Sequence, residues 1–437
     1  MKNLIFLFGL LLFISCSSDI KNLNDYTFEG SKSWSKTVGG SDEDHVKSAI
    51  PSIDGGFFTI GYTKSNDGDI SQKANMMEDV WLCKYNADGE IVWSKTYGGS
   101  MDEYGYSMLE NLDGTLVVAG YSMSSNGDVP SNLGMHDFYI FKTDAHGELI
   151  WNKSYGFTSH DHAHKIIKTD DGGYFVAGFI DYSGVAKGVS TLHGVGEFYG
   201  LKLDANGNKL WDGYFGGTQN DRVFDVAEAL DGGLVMVGYS ESEDFDITDS
   251  KGSYDFWVVK LSKVGNVVWK KSFGGSGIDQ AYGIAKTNQN TFIITGVSNS
   301  DDLDIRQNLG SSDVWVIHIN DDGNLIWSKN YGGSQFDSSN SIQKLKSGHF
   351  LISGHTRSND GLFTENKGEN DFFGLIINEN GDVIWQHTFG GSAIDVGVQA
   401  IELQNRSIVL VGDTQSSDFD AEDAKGMTDV LIVKVDH

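Results

Sequence analysis

One tryptophan organises this chain. It returns at positions 34, 93, 151, 211, 269, 327 and 385, at intervals of 59, 58, 60, 58, 58 and 58 residues. Around it a pattern returns as well, Gly, an apolar pair, Trp and then Gly-Gly, as in Gly89-Glu90-Ile91-Val92-Trp93 through Gly98-Gly99-Ser100. Self-similarity at such a period marks stacked or radially arranged units that cannot bury their own hydrophobic faces alone.

Each unit reads as four short strand signals. In the second they are Tyr104 to Leu109, Thr115 to Tyr121, Phe138 to Thr143 and Glu148 to Ser154. Asp-Gly separates the first two here and at Asp54-Gly55, Asp171-Gly172 and Asp231-Gly232, and that dipeptide between apolar runs is a strong hairpin signal. Helical periodicity is absent. Four antiparallel strands repeated seven times predict an all-β, seven-bladed β-propeller over residues 30–437. After Trp385 the chain has room for only three strands, Asp395 to Ile401, Ser407 to Thr414 and Val430 to Val435. The missing fourth lies at the other end, Ser31 to Val38, so the N-terminal strand is expected to close the last blade and remove a free sheet edge.

The start of the chain has a different character. Met1-Lys2-Asn3 precedes an apolar run from Leu4 to Ile14 that is too short to span a bilayer, followed by Ser15-Cys16. Residues 1–15 read as a secretory signal and 16–29 as a polar tether. Phe13-Ile14-Ser15-Cys16 resembles a bacterial lipobox, which makes Cys16 the expected lipidation site. The second cysteine, Cys83, stands where other units place apolar residues, so a disulfide framework is excluded and a small buried side chain is expected. With 61 acidic against 32 basic residues the net charge is −29, which argues against nucleic acid and anionic membrane surfaces as partners.

The stretches Trp93-Ser94-Lys95-Thr96-Tyr97-Gly98-Gly99-Ser100, Asp171-Gly172-Gly173-Tyr174-Phe175-Val176-Ala177-Gly178 and Asp255-Phe256-Trp257-Val258-Val259-Lys260-Leu261 resemble the tandem repeats of exported propeller proteins common in Bacteroidetes. The resemblance implies a secreted or outer-membrane protein, here held by a lipid anchor, whose partners are a polysaccharide or a surface protein. It implies no catalytic residues.

Seven tryptophans occupy fourth strands, and Trp81, Trp257 and Trp315 share one position of the third. Packing between blades accounts for all ten, so aromatic recognition falls to Tyr or Phe. A carboxylate follows the Gly-Gly position in every unit (Asp44, Glu103, Asp161, Asp221, Asp279, Asp337, Asp395). An acid present in every blade cannot mark one asymmetric site, and a structural role is expected for it. Acidic clusters in the loops between second and third strands, including Asp67 with Asp69 and Asp244 with Asp246, offer oxygen ligands for calcium, the alternative being turn residues that cap their own backbone. No other cofactor is called for.

Function is sought where the units differ, and they differ most in the third. Gly-Gly becomes Gly156-Phe157, and the next strand reads His160-Asp161-His162-Ala163-His164. Alternation puts the three histidines on one strand face, facing the channel, where they can serve a transition metal. In register with His162 stand His45, Tyr104 and Arg222; in register with His164 stand Lys47, Tyr106, Phe224 and Tyr282. His162 or His164 as base, Tyr104 or Tyr106 as acid and Arg222 as cation are the residue types of a polysaccharide lyase acting by β-elimination. His45, His136, His160, His193 and Tyr282 would line the same mouth. The other reading is recognition of a glycan or partner protein without turnover.

Overall fold

The computed structural model describes residues 28–70, 73, 76–181, 194 and 196–437. Cys16, His193 and the expected signal and tether up to residue 27 lie outside the described residues. Seven four-stranded antiparallel sheets form a propeller whose inner strands are Asp44–Pro51, Glu103–Glu110, Asp161–Lys168, Asp221–Glu228, Asp279–Lys286, Asp337–Lys344 and Asp395–Glu402. Closure follows the expectation: Ser31–Val38 pairs antiparallel with Asp429–Asp436 and supplies the outer strand of blade seven.

The core is shared between neighbours. Each of the seven hydrophobic clusters joins two successive blades, and the one containing Val46, Phe57 and Trp81 of blade one also holds Val409, Val430 and Ile432 of blade seven. Cys83 is buried in that same cluster, and burial pushes its thiol up to about 12. Fully burying one such Val, Ile or Phe is worth about 1.5–3 kcal/mol, so a blade stripped of its neighbours loses what holds it together.

The organising motif has a direct packing cause. The glycine of each hairpin between third and fourth strands receives the tryptophan of the preceding blade: a Cβ on Gly89 (φ +73°) would lie 2.4 Å from the Trp34 ring, and one on Gly207 2.8 Å from Trp151. Blade seven ends at its third strand and has no such hairpin. There Phe28 takes the place of the turn, edge-on to Trp385 at 5.2 Å, and Gly30 O accepts from Trp385 Nε1 at 3.3 Å.

The carboxylate after Gly-Gly is structural, as expected. Asp337 is typical. It is buried, accepts the Gly333 N–H at 2.8 Å and the Ser358 hydroxyl at 2.8 Å, and bonds Thr356. The acid that begins each third strand faces it across the first glycine, with Asp79 and Glu103 flanking Gly98 and Asp371 and Asp395 flanking Gly390.

Inner strands carry a feature the sequence did not announce. All seven have a β-bulge at the same place, centred on Lys47, Tyr106, His164, Phe224, Tyr282, Asn340 and Val398. Opposite each bulge the second strand has a glycine, because the inner backbone crowds it: a Cβ on Gly61 would lie 1.8 Å from His45 O and one on Gly178 2.1 Å from His162 O. A bulge re-aims the side chain it carries, and all seven bulged residues line one central cavity of about 340 Å³.

Candidate functional site

Two tiers of side chains surround the axis. The deeper is the ring of bulged residues. Its aromatic members touch in sequence, Tyr106 with His164 at 4.8 Å, His164 with Phe224 at 4.9 Å and Phe224 with Tyr282 at 5.1 Å. Burial lowers His164 to about 3 and raises Tyr106 to about 12, so both are neutral at pH 7. Below the ring Lys165 pairs with Asp225 at 3.1 Å.

The upper tier lies at the mouth, on the face where the connections between blades and the loops between second and third strands emerge. It is built from the residue two places before each bulge together with its partner on the second strand: His45 with Tyr62, Tyr104 with Tyr121, His162 with Phe179 and Arg222 with Tyr239. These rings form a continuous belt. Centroids stand 4.7 Å apart for His45–Tyr62, 4.1 Å for Tyr62–Tyr104, 4.7 Å for Tyr104–Tyr121, 4.0 Å for Tyr121–His162 and 4.7 Å for His162–Phe179. The Arg222 guanidinium covers Phe179 at 3.9 Å, a cation–π contact. At the other end His45 Nδ1 contacts Asp413 Oδ2 at 2.7 Å. Blades five to seven place Gln280 with Val297, Ser338 with His355 and Val396 with Asp413 at the same positions, so the belt covers only part of the ring.

The mouth histidines gather at the junction of blades two and three. His136 Nδ1 stands 2.6 Å from His162 Nε2 and 3.1 Å from His160 Nδ1. Tyr121 stacks on both His136, at 4.8 Å and 12°, and His162, at 4.0 Å and 22°. Burial, with neighbouring imidazoles and Arg222 adding to it, lowers His162 to about 2; burial and His160 lower His136 to about 4. Beside them Asp181 has a buried Oδ1 without a hydrogen-bond partner.

The structure thus brings together most of the residues singled out from sequence. His45, Tyr104, His162 and Arg222 share the upper tier, Tyr106, His164 and Tyr282 the lower, and His136 and His160 flank the mouth. His193 is outside the described residues. The one-face row expected for His160, His162 and His164 is present, with successive centroids 6.5 Å apart. The bulge, however, turns His164 down into the channel, and the ring whose nitrogen meets those of His160 and His162 is His136, from the neighbouring blade.

The four aspartates considered for calcium each accept a backbone N–H. Asp67 Oδ1 accepts the Ser41 N–H at 2.8 Å, Asp69 Oδ2 the Gly39 N–H at 3.1 Å, Asp244 Oδ1 the Thr218 N–H at 2.9 Å and Asp246 Oδ2 the Gly216 N–H at 3.2 Å. Asp69 and Asp246 also pair with Lys425 and Lys270. They cap the backbone of the facing Gly-Gly turn rather than their own loop.

Sequence reasoning missed Tyr62, Tyr121, Phe179 and Tyr239. A signal was there: each directly follows the glycine that faces a bulge (Gly61, Gly120, Gly178, Gly238), at the position that reads Val297, His355 and Asp413 in the last three blades.

No protein-family model matches the chain. Over 260 residues it is 26% identical to the Regulatory protein FlaEY of Caulobacter vibrioides, covering 54% of this chain and 26% of that protein. Over 356 residues it is 21% identical to an Uncharacterized WD repeat-containing protein, L264, of Acanthamoeba polyphaga mimivirus, covering 63% of this chain and 25% of that one. The chain spans about a quarter of the length of these curated relatives. Among solved structures, the hydrazine synthase of Kuenenia stuttgartiensis superposes with a TM-score of 0.50 at 10% identity, over 84% of this chain and 93% of that one. At that identity the likeness is one of fold. Taken together, the chain is a repeat-built β-propeller.

Proposed function

We propose that the protein is an exported propeller, held at the outer membrane by lipid on Cys16, that recognises a glycan at the mouth of its channel. One observation carries the recognition reading: the belt from His45 to Arg222 lines the mouth with the half-buried, polar-edged rings of His45, Tyr62, Tyr104 and His162 and with a cation at one end. Sugar rings offer apolar C–H faces that stack on such rings and hydroxyls that bond to their edges, and the guanidinium suits a uronate carboxylate. Sites of this kind are concave, carry a few placed polar groups and sit on a rigid scaffold.

β-Elimination at this site is the weaker reading on acid–base grounds. A general base works best with a pKa near the operating pH. Burial holds His162 at about 2 and His164 at about 3, and it raises Tyr104 and Tyr106, so no proton acceptor of matching strength is found among these four.

The test is affinity electrophoresis against uronate-containing and neutral polysaccharides, with absorbance near ~235 nm followed in parallel for the unsaturated ends a lyase leaves. Retardation of the protein with no new absorbance is expected. Absorbance growth lost in His162→Ala would replace recognition by lyase chemistry, and silence in both assays would turn the search to a protein partner.

A further inference from the structure

We propose that His136, His160 and His162 form a binding site for one divalent transition-metal ion of the zinc class, at the junction of blades two and three. One nitrogen from each ring lies within 4.8 Å of the other two, and among the described residues this is the group of three such side chains that converges. The site stands apart from the glycan reading, since the ion itself is the ligand.

Three features make it a built site. The first is the backbone beneath it. The His136 and Ser159 to Asp161 segments are locked together by a parallel bridge, with His136 N–H donating to Ser159 O at 3.1 Å and Asp161 N–H to His136 O at 2.9 Å. The same bridge recurs at other junctions, where it joins Tyr254 to Ile278, Ser312 to Phe336 and Asn370 to Ile394. Only the side chains have changed. Blade two's loop end and blade three's strand start each present a histidine there, and His162 adds a third from the mouth tier.

The second feature is orientation. Tyr121 stacks against His136 and His162 together, which fixes two of the three ring planes before any ion arrives. The third is that His136 Nδ1 faces both other nitrogens at once, at 2.6 and 3.1 Å. One ring nitrogen either donates or accepts, so a metal-free cluster must share a proton poorly among three rings. A metal takes a lone pair from each. Tetrahedral bonds of about 2.0–2.1 Å require N···N separations of roughly 3.3 Å, so modest ring rotations convert the cluster to a coordination shell.

The donor set decides the ion. Three imidazoles suit zinc, cobalt, nickel and copper, whereas calcium and magnesium need oxygen. Three protein ligands leave at least one position facing the mouth, the arrangement of an open rather than a closed structural site. The orphaned Oδ1 of Asp181 lies in the same corner, on the residue whose N–H bonds His160 O at 2.9 Å.

The experiment is titration of the metal-stripped, full-length protein with cobalt(II), followed by visible absorbance, then displacement by zinc. One cobalt per chain is expected, with the intense band of a four- or five-coordinate nitrogen site, unchanged by a large excess of calcium. His136→Ala, His160→Ala and His162→Ala should each weaken binding by at least about a hundredfold, more than the tenfold to hundredfold typical of losing a group behind the ligands. His146→Ala, in an exposed hairpin, and His164→Gln should leave it within about threefold. Loss in His164→Gln with retention in His136→Ala would overturn the assignment in favour of a site on one strand alone. Should the alanine variants fail to fold, the wild-type titration decides by itself: no stoichiometric cobalt band, or a band abolished by calcium, overturns the proposal.

Discussion

The two arcs of the channel mouth share one backbone and differ in what they present. From blade one to blade four the paired mouth positions carry His45, Tyr62, Tyr104, Tyr121, His162, Phe179, Arg222 and Tyr239, in ring contact along most of their length. From blade five to blade seven the same positions carry Gln280, Val297, Ser338, His355, Val396 and Asp413. The bulge, the glycine facing it and the buried acid that begins each inner strand are common to both arcs. Repetition therefore supplies the frame, and the departure from repetition supplies the chemistry. The paired positions can vary because they stand at the mouth, outside the seven hydrophobic clusters between blades, where a change of one methylene is felt.

The largest expected effect tests whether the aromatic arc is also a structural belt. Tyr121 is 7% exposed and stacks on Tyr104, His136 and His162; Tyr121→Ala should cost about 3–4 kcal/mol in urea unfolding, whereas Val297→Ala, equally buried in the other arc, should cost about 2 kcal/mol. Equal costs would mean the belt contacts add nothing beyond burial. Next in size is binding. Tyr104→Ala, at a half-buried ring, should weaken glycan retention about tenfold, in line with ~1.4 kcal/mol for one stacked aromatic face, and Ser338→Ala should change it by less than about twofold. A comparable loss from both would spread the site around the whole ring.

The smallest effect concerns proton linkage. Blade three ends its second strand in Ile180, where blade six has Thr356, so Asp161 lacks the hydroxyl partner that Asp337 enjoys. Its Oδ1 is buried and unpartnered, and burial raises its carboxyl to about 7. Burial and Asp221 raise Glu197 to about 9. Both folded values exceed the ordinary ones, 3.8 and 4.5, so the protonated forms favour the folded state. That contribution is complete below about pH 4 and is lost as pH rises through about 7 and then about 9. Melting temperature should fall between pH 6 and 9.5. Asp161→Asn keeps an acceptor for the Phe157 N–H and should raise stability at pH 8 by about 1 kcal/mol, with little change at pH 5; Asp337→Asn should lower it by about 1 kcal/mol through its hydroxyl partners. Identical responses of the two variants would show that the blade-three acid is no different from the rest.

The architecture was legible because its causes are local and repeated. Six of the seven fourth-strand tryptophans meet a hairpin glycine, many hairpins carry Asp-Gly or Asn-Gly, and the same spacing written seven times admits few folds. The site was half legible. Aligning the units placed His45, Tyr104, His162 and Arg222 in one tier, since a shared strand register is a property of sequence. The pairing of His136 with His160 was not, because it runs between the end of a loop and the start of the next blade, and nothing in either segment alone says they lie side by side. Strand alternation put His164 on the channel face but not the bulge that carries it: the pairing slips there by one residue, and its only trace in the sequence is a glycine on the partner strand.

The closing strand has a consequence for how the molecule is held. Ser31 pairs beside Asp436, and Phe28 fills the missing hairpin over Trp385, so the chain enters on the face of the hairpins, at the far end of the axis from the tyrosines and histidines. Any mooring through the residues before 28 would therefore hold the molecule by its hairpin face, with the mouth at the opposite end of the axis.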